Sequence, residues 1–443
     1  MTQQTPYRSL HLKRDHARPR QQPAINNAEV EARLSELVSP ATYALTHEYH
    51  RLGLRTRILN LPIMVGLVLG MIWRQVPSVN ELLRTLVREP LLWVPPLHVS
   101  QQAVSWRLRT LPVELFAAVF AAIVPCLHER SAARSRPLSP VVARALGQFA
   151  RIQIIDATTL EELFAKVGLL RGTMTTPLGG KLLGLLDLPS KLPVQLWLKA
   201  DPAINEKSFF DQIKAVLLPA TLLVFDAGFY AFAFFDWLTE HQVSYLTRPR
   251  AGGVATITRW LTNTNQVRDC LITFGHYRSY PCVHPLRRIE VCVNGTWHAY
   301  LTNVLDPAIL STADVVALYG QRWRIEEAFL VTKRLLNLSY LWTGAFNGIG
   351  LQVWATWLLY STLVDISDAI AQQLDLPLDR ISLEMTYRGI YHFTRAQARG
   401  ETTDLITYLA TQKDLAVVKT IRKHKTRPKG NLDILLWPQT CYQ

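Results

Sequence analysis

Four polar residues, Tyr319, Arg322, Glu326 and Lys333, stand at offsets 0, 3, 7 and 14 in the stretch YGQRWRIEEAFLVTK. Wound as one α-helix at about 100° per residue, they fall at roughly 0°, −60°, −20° and −40°, a single narrow stripe. Val316, Trp323 and Leu330 flank it on one side and Leu318, Ile325 and Phe329 on the other, while Ala317, Gln321, Arg324 and Ala328 take the opposite face. A carboxylate and two cations inside an apolar face are costly unless they are paired or bind something. On the wheel alone two readings stay open. One is a buried Arg322–Glu326 pair with Lys333 snorkelling to water. The other is a site for a charged ligand.

Two further carboxylates end apolar runs. Asp156 closes IQIID (152–156) and Asp226 closes TLLVFD (221–226). Both runs read as buried strands, and in open α/β sheets ligands gather at the carboxyl ends of strands. Asp156, Asp226 and Glu326 converging in a basic protein would suit two hard divalent cations. Such ions activate a water or a 3′-hydroxyl and stabilise the leaving oxygen of an in-line phosphoryl displacement. The plain alternative for each Asp is a cap on the next turn.

These residues together resemble the DDE transposases of the ribonuclease H-like superfamily, specifically the bacterial insertion-sequence class with a Y-R-E-K signature. That signature, Y-x2-R-x3-E-x6-K, is matched by Tyr319, Arg322, Glu326 and Lys333 at every spacing. IIDATTL around Asp156 is similar to the first-Asp motif, and VFDAGFY around Asp226 to the second. TNVLDP (302–307) resembles the lead into the signature helix, and VSQQAVSWRLRTLP (99–112) the family's N-terminal segment. The similarity runs over roughly residues 95–370. Ala157 follows the first Asp where relatives often carry Gly or Ser, a departure that removes no ligand.

The resemblance implies roles by position. Asp156, Asp226 and Glu326 would be catalytic and hold two Mg²⁺ ions, with Mn²⁺ able to substitute. Tyr319, Arg322 and Lys333 would grip a DNA phosphate near the cut end. Trp297, beside the Asn294-Gly295 turn, is the candidate for stacking on a flipped base, with cross-strand packing as the alternative. Arg248 and Arg250, just past the strand at 243–248, are candidates for contact with the DNA backbone, with solvated surface as the alternative. The implied activity is cleavage at inverted-repeat ends and joining of 3′-hydroxyls to target DNA. The implied partners are double-stranded transposon-end and target DNA, with a homodimer in the DNA complex. The implied location is the bacterial cytoplasm, at the nucleoid. The rival reading is a DNA-binding protein descended from such an enzyme and no longer catalytic.

The elements that must position these residues follow from pattern. Residues 1–25 read as a basic disordered arm. Residues 26–150 read as a helical DNA-binding region, with helices at Glu29–Leu37, Ile58–Arg74, Val79–Arg88, Val99–Leu108 and Val113–His128. Ser78 and Ser100 are candidate N-caps, and Arg84, Arg88, Arg107 and Arg109 give these helices basic faces. From 151 the pattern changes to strands at 152–156, 194–200, 221–226 and 243–248, with helices at 208–218 and after Asp226. Residues 151–248 and 312–370 form the two parts of a ribonuclease H-like α/β core. Residues 249–311 are a β-rich insertion with a hairpin at Asn294-Gly295, and 371–443 a helical and basic C-terminal region containing IRKHKTRPKG (421–430).

Bulk composition sets outer limits. The chain has 443 residues, 48 Lys and Arg against 34 Asp and Glu, and a formal net charge of +14. That favours a polyanionic partner, nucleic acid before membrane surface. The five cysteines are scattered and form no C-x-x-C pair, which suits a reducing cytosol. Cys270, His276, Cys282 and His284 cluster at spacings that fit no usual zinc pattern. The basic, polar N-terminus lacks the apolar core of a signal peptide. Leu61–Trp73 and Val113–Cys126 are too short to span a bilayer, and Pro219, Asp226 and Gly228 interrupt the run Ala215–Phe235. A protein free of membrane is expected.

Overall fold

The computed structural model describes residues 28–418 apart from residue 56 and segments 161–179, 251–254, 275–280 and 339–340. The basic arm, IRKHKTRPKG and His276 lie outside the described residues. Seven helices come first: α1 (Ala28–Ala44), α2 (Thr46–Arg51), α3 (Leu61–Trp73), α4 (Val79–Leu86), α5 (Gln101–Thr110), α6 (Val113–Ala133) and α7 (Pro140–Leu146). The expected caps form. The Ser78 hydroxyl accepts the Glu81 N–H and the Ser100 hydroxyl the Ala103 N–H, each at 3.2 Å. Asn60 caps α3 in the same way, so that helix starts at Leu61, three residues later than the expected Ile58. Gly66 and Gly70 let α3 lie against the 91–94 turn. A Cβ at either would sit 2.5 Å from Val94 or Leu91.

The sheet follows: β1 (Arg151–Thr159), β2 (Lys181–Asp187), β3 (Pro193–Lys199), β4 (Thr221–Val224) and β5 (Ser244–Thr247), with α8 (Phe210–Lys214) and α9 (Phe232–Glu240) between. β6 (Ala255–Asn263), β7 (Val267–Phe274), β8 (Leu286–Val293) and β9 (Thr296–Thr302) make an antiparallel extension. The order is β3-β2-β1-β4-β5-β9-β8-β7-β6. β1, β2 and β3 are an antiparallel meander, and β4 and β5 run parallel to β1. This 3-2-1-4-5 order within a mixed α/β fold is the ribonuclease H-like arrangement expected from the sequence. Then come α10 (Thr312–Gly320), α11 (Trp323–Leu330), α12 (Phe346–Gln373), α13 (Leu383–Ala398) and α14 (Leu405–Thr411).

Alternation along β1 and β4 feeds two cores. Ile152, Ile154, Leu222 and Val224 face a large core shared by the first helices and by α10 to α14. Ile155, Leu223 and Phe225 face a smaller aromatic core built on α8 and α9. α12 threads the large core and is buried along its apolar length, while α6 reaches 21 residues. Both are long and apolar enough to cross a bilayer by length and composition, and for α6 this exceeds the 14-residue run read from sequence. Arg134 and Arg136 tie the segment after α6 to α12. Arg134 bonds Asp365 at 2.6 Å and Asp368 at 3.1 Å, and Arg136 shares Asp368.

Three expectations change. Arg107 is buried, donating to the Leu59 carbonyl at 3.0 Å and to the Tyr49 hydroxyl, so it is a packing residue and not part of a basic face. The helix expected at 208–218 is a 3-10 turn at Glu206–Phe209 and the five-residue α8. Tyr319–Lys333 is not one helix. α10 stops at Gly320, and i→i+3 bonds from Arg322 to Tyr319, Arg324 to Gln321 and Ile325 to Arg322 tighten the chain before α11. A π-helical turn at Val331–Leu335 follows. The buried stripe of α11 is therefore Ile325, Ala328 and Phe329, while Trp323 and Leu330 are exposed. The single wheel misplaced Ala328, Trp323 and Leu330 because its register breaks at residues 320–322.

Candidate active site

Parallel register brings the first three groups level. Ile154 pairs with Val224 and Val224 with Leu246. Two residues further along each parallel chain stand Asp156, Asp226 and Arg248. The latter two lie just past the carboxyl ends of β4 and β5, whereas β1 runs on past Asp156 to Thr159 against β2. Asp156 therefore does not close its strand as the apolar run suggested. The place where the three meet is the crevice where open α/β sheets bind ligands. Two-residue periodicity puts the Asp156 side chain on the same face as Ile154, the face covered by α11.

Asp156 is held from two sides. Its Oδ1 accepts the Ala157 N–H at 2.8 Å, and its Oδ2 accepts from Arg322 Nη1 at 2.9 Å. Burial, then the neighbouring Asp226 charge, push its carboxyl up from 3.8 to about 7; Arg322 and the Ala157 N–H pull the other way. Asp226 caps the 3-10 turn Ala227–Phe229 by accepting the Gly228 N–H at 2.8 Å. A turn cap is thus present at Asp226, whereas Asp156 sits inside β1 and caps no turn. Arg250 braces the same turn through the Ala227 carbonyl at 3.1 Å.

Arg322 bridges the strands to α11. Its Nη2 lies 2.7 Å from Glu326 Oε1, so one guanidinium links Asp156 to Glu326. Asp156, Glu326 and the Tyr319 phenol raise its pKa against the opposing effect of burial. Its Nε is buried without a hydrogen-bond partner. Tyr319 packs edge-on against Tyr300 with ring centres 5.3 Å apart, and burial raises its phenol pKa. The Arg248 guanidinium lies over both rings, 5.2 Å from Tyr319 and 5.9 Å from Tyr300. Its Nε too is buried and unpartnered. Lys333 reaches the end of β1, donating to Thr158 Oγ1 at 2.7 Å and to the Thr159 carbonyl. The reading of a simple buried pair with Lys333 snorkelling to water does not survive whole. The Arg322–Glu326 pair exists, but it is shared with a strand carboxylate, and Lys333 points at the strand.

The far side of α11 is anchored separately. Arg324 pairs with Glu327 at 2.9 Å and Asp379 at 3.2 Å, and Asp379 pairs with buried Lys191 at 3.3 Å. Charges at residues 324 and 327 thus fix the helix, leaving 322 and 326 for the crevice.

The structure therefore gathers Asp156, Asp226, Glu326, Arg322, Tyr319 and Arg248, with Lys333 at the rim. It does not gather Trp297. Leu301 pairs with Thr247 near the crevice, and Trp297 lies four residues back along β9, about 13 Å away. Tyr300, which floors Arg248, was not picked out from sequence, and only its place in the alternating strand 296–302 marks it. Cys270 and Cys282 are buried, and burial pushes the Cys282 thiol to about 12.

Three carboxylates are the hard oxygen donors that Mg²⁺ and Mn²⁺ prefer. The raised carboxyl of Asp156 marks a place where added positive charge would be stabilised. Among the described residues no three His, Cys, Asp or Glu side chains are drawn together tightly enough to hold a metal ion. The donor set fits such ions, and Arg322 stands among the donors.

Residues 179–361 match the family model described as Transposase DDE domain. Asp226, Tyr319, Arg322, Glu326 and Lys333 fall within that stretch, and Asp156 precedes it. No curated protein matches the chain in sequence. Among solved structures, the cryo-EM structure of a piggyBac transposase synaptic complex with hairpin DNA is similar at a TM-score of 0.41 and 11% identity. That match covers 88% of this chain and 84% of the other.

Proposed function

We propose that this protein is a DNA transposase of the insertion-sequence class with the Y-R-E-K signature, cutting at the inverted-repeat ends of its element and joining 3′-hydroxyls to target DNA. The observation that carries this is the level placement of Asp156 within β1 and Asp226 just past the end of the adjacent parallel β4, with Arg322 linking Asp156 to Glu326 on α11. Asp156 lies outside the stretch matched by the family, so its arrival beside Asp226 and Arg322 is independent support.

Asp156, Asp226 and Glu326 would hold two Mg²⁺ ions, or Mn²⁺ in their place, which when bound supply activation of the attacking oxygen and stabilisation of the leaving one. Arg322 would exchange its carboxylate partners for a DNA phosphate, which suits its planar fork of donors. Arg248, with its Nε unpartnered over the two tyrosine rings, would take a neighbouring phosphate. Tyr319 orients both guanidiniums, and Lys333 adds a point charge at the rim. Residues 26–150 would contribute to DNA binding, the element ends would be held by a homodimer, and the protein would work in the bacterial cytoplasm.

The test uses the DNA flanking the gene, incubated with purified protein and Mg²⁺ or EDTA. Mg²⁺-dependent cuts at paired inverted repeats, followed by joining of their 3′ ends, are the expected result. Binding without cuts in Mg²⁺ or Mn²⁺ would replace this reading with a DNA-binding protein that has lost catalysis.

A further inference from the structure

The extension β6 to β9 has two unlike faces. One carries Ile289, Val291 and Tyr300, which join the large core, together with the buried pair Arg287–Asp269 at 2.6 Å. The other starts as core at its root, where Ile272, Phe274, Leu286 and Leu301 pack with α9, and Phe274 meets Phe232 at 5.6 Å. Toward the tip this second face changes character. Trp260 pairs with Cys270, Cys270 with Arg288, and Arg288 with Leu301, so these four share it. Arg268, Glu290 and Trp297 lie on it as well.

No element covers the tip among the described residues. Trp260 is 45% exposed and Trp297 37% exposed. The Arg268 guanidinium stacks on Trp297 at 4.3 Å, and the Arg288 Nε has no hydrogen-bond partner. Glu290, less exposed than either arginine, pairs with both and leaves the patch with one net positive charge. Two large rings left in water on one face, with arginines between them, match what unpaired nucleic acid requires. Its bases stack on rings and its phosphates meet cations. Three strand spacings and a four-residue offset separate Trp260 from Trp297 by roughly 20 Å, enough for several nucleotides.

We propose that this tip binds an unpaired DNA strand, with Trp260 as a base-stacking platform and Arg268 and Arg288 as phosphate contacts. The inference rests on the transposase reading for the choice of DNA as the strand. It assigns Trp260 and the two arginines a role separate from the carboxylate crevice.

The test is anisotropy with full-length protein, using labelled oligo-dT of about 20 nucleotides and a random duplex of equal length. Trp260→Ala should weaken oligo-dT binding about tenfold and leave duplex binding unchanged, while Trp260→Phe keeps most of the affinity. Arg268→Gln should lower the salt dependence of oligo-dT binding by about one ion. Wild-type oligo-dT affinity in a Trp260→Ala protein that melts like wild type would overturn the proposal. A photo-cross-link from bromodeoxyuridine DNA to the unmutated protein guards against a variant that fails to fold. Attachment at Trp260 supports the surface, and attachment only elsewhere removes it. Lost strand affinity is read separately from DNA cutting. Intact cutting with no effect at Trp260 removes this surface alone, and strand binding through Trp260 in a protein that never cuts removes only the transposase reading.

Discussion

Arg322 donates to Asp156 at 2.9 Å across 166 positions of sequence, and the same guanidinium holds Glu326 at 2.7 Å. One cation thus lies among the carboxylates proposed to bind metal. Its charge lowers the pKa of Asp156, which burial and Asp226 hold at about 7. Arg322→Ala should move the Asp156 titration above that value. The pH midpoint of Mn²⁺ binding, followed by electron paramagnetic resonance without DNA, should rise with it. An unchanged midpoint would mean that Arg322 does not govern the ionisation of Asp156.

The raised carboxyl also predicts a pH dependence of stability. A group whose folded pKa lies above its unfolded value contributes fully below the unfolded value and loses that contribution as pH rises through the folded one. For Asp156 the window runs from about 3.8 to about 7. Asp156→Asn removes the titration, so it should stabilise the protein relative to wild type at pH 8 and have little effect near pH 4. The gain at pH 8 should be on the order of 1–3 kcal/mol, measured by denaturant unfolding in EDTA. Equal effects at both pH values would contradict the assignment.

Asp368 on α12 is buried between Arg134 and Arg136. Asp368→Ala would leave buried Arg136 with no carboxylate partner among the described residues and Arg134 with Asp365 alone, and should cost about 3–5 kcal/mol of stability. Thermal melting with and without the substitution checks it. A shift within error would show that water reaches these arginines.

Arg248→Ala should leave the fold intact, because the side chain spans two rings and bears no structural ion pair among the described residues. If Arg248 meets a phosphate, the slope of log affinity for end DNA against log salt should fall by about 0.9. An unchanged slope would confine Arg248 to packing on Tyr319 and Tyr300.

Much of the site was legible because local pattern and chemistry coincide there. IQIID and TLLVFD are apolar runs broken by one acid, and parallel pairing of their strands is enough to bring Asp156 and Asp226 level. The Ser78 and Ser100 caps were equally local. What failed was geometry that depends on breaks. The wheel from Tyr319 to Lys333 assumed an unbroken helix, yet the chain tightens after Gly320 and loosens again at Val331. Arg107 looked like a surface cation because its partners, Leu59 and Tyr49, lie about fifty residues away. β2 escaped notice because Lys181–Asp187 is apolar on both faces and lacks alternation. β6 escaped for the opposite reason, being exposed along nearly its whole length.

Glu326 and Glu327 offer the most direct test, because they are adjacent carboxylates on α11 that face different partners. Glu326 meets Arg322 at the crevice, and Glu327 meets Arg324 on the anchored side. The measurement is Mg²⁺-dependent nicking of end DNA by Glu326→Gln and Glu327→Gln side by side. The account predicts that Glu326→Gln loses at least about a thousandfold in rate while still binding the ends, and that Glu327→Gln stays within about tenfold of wild type. Nicking that survives Glu326→Gln, or falls equally in both variants, would contradict the assignment of Asp156, Asp226 and Glu326 as one catalytic centre.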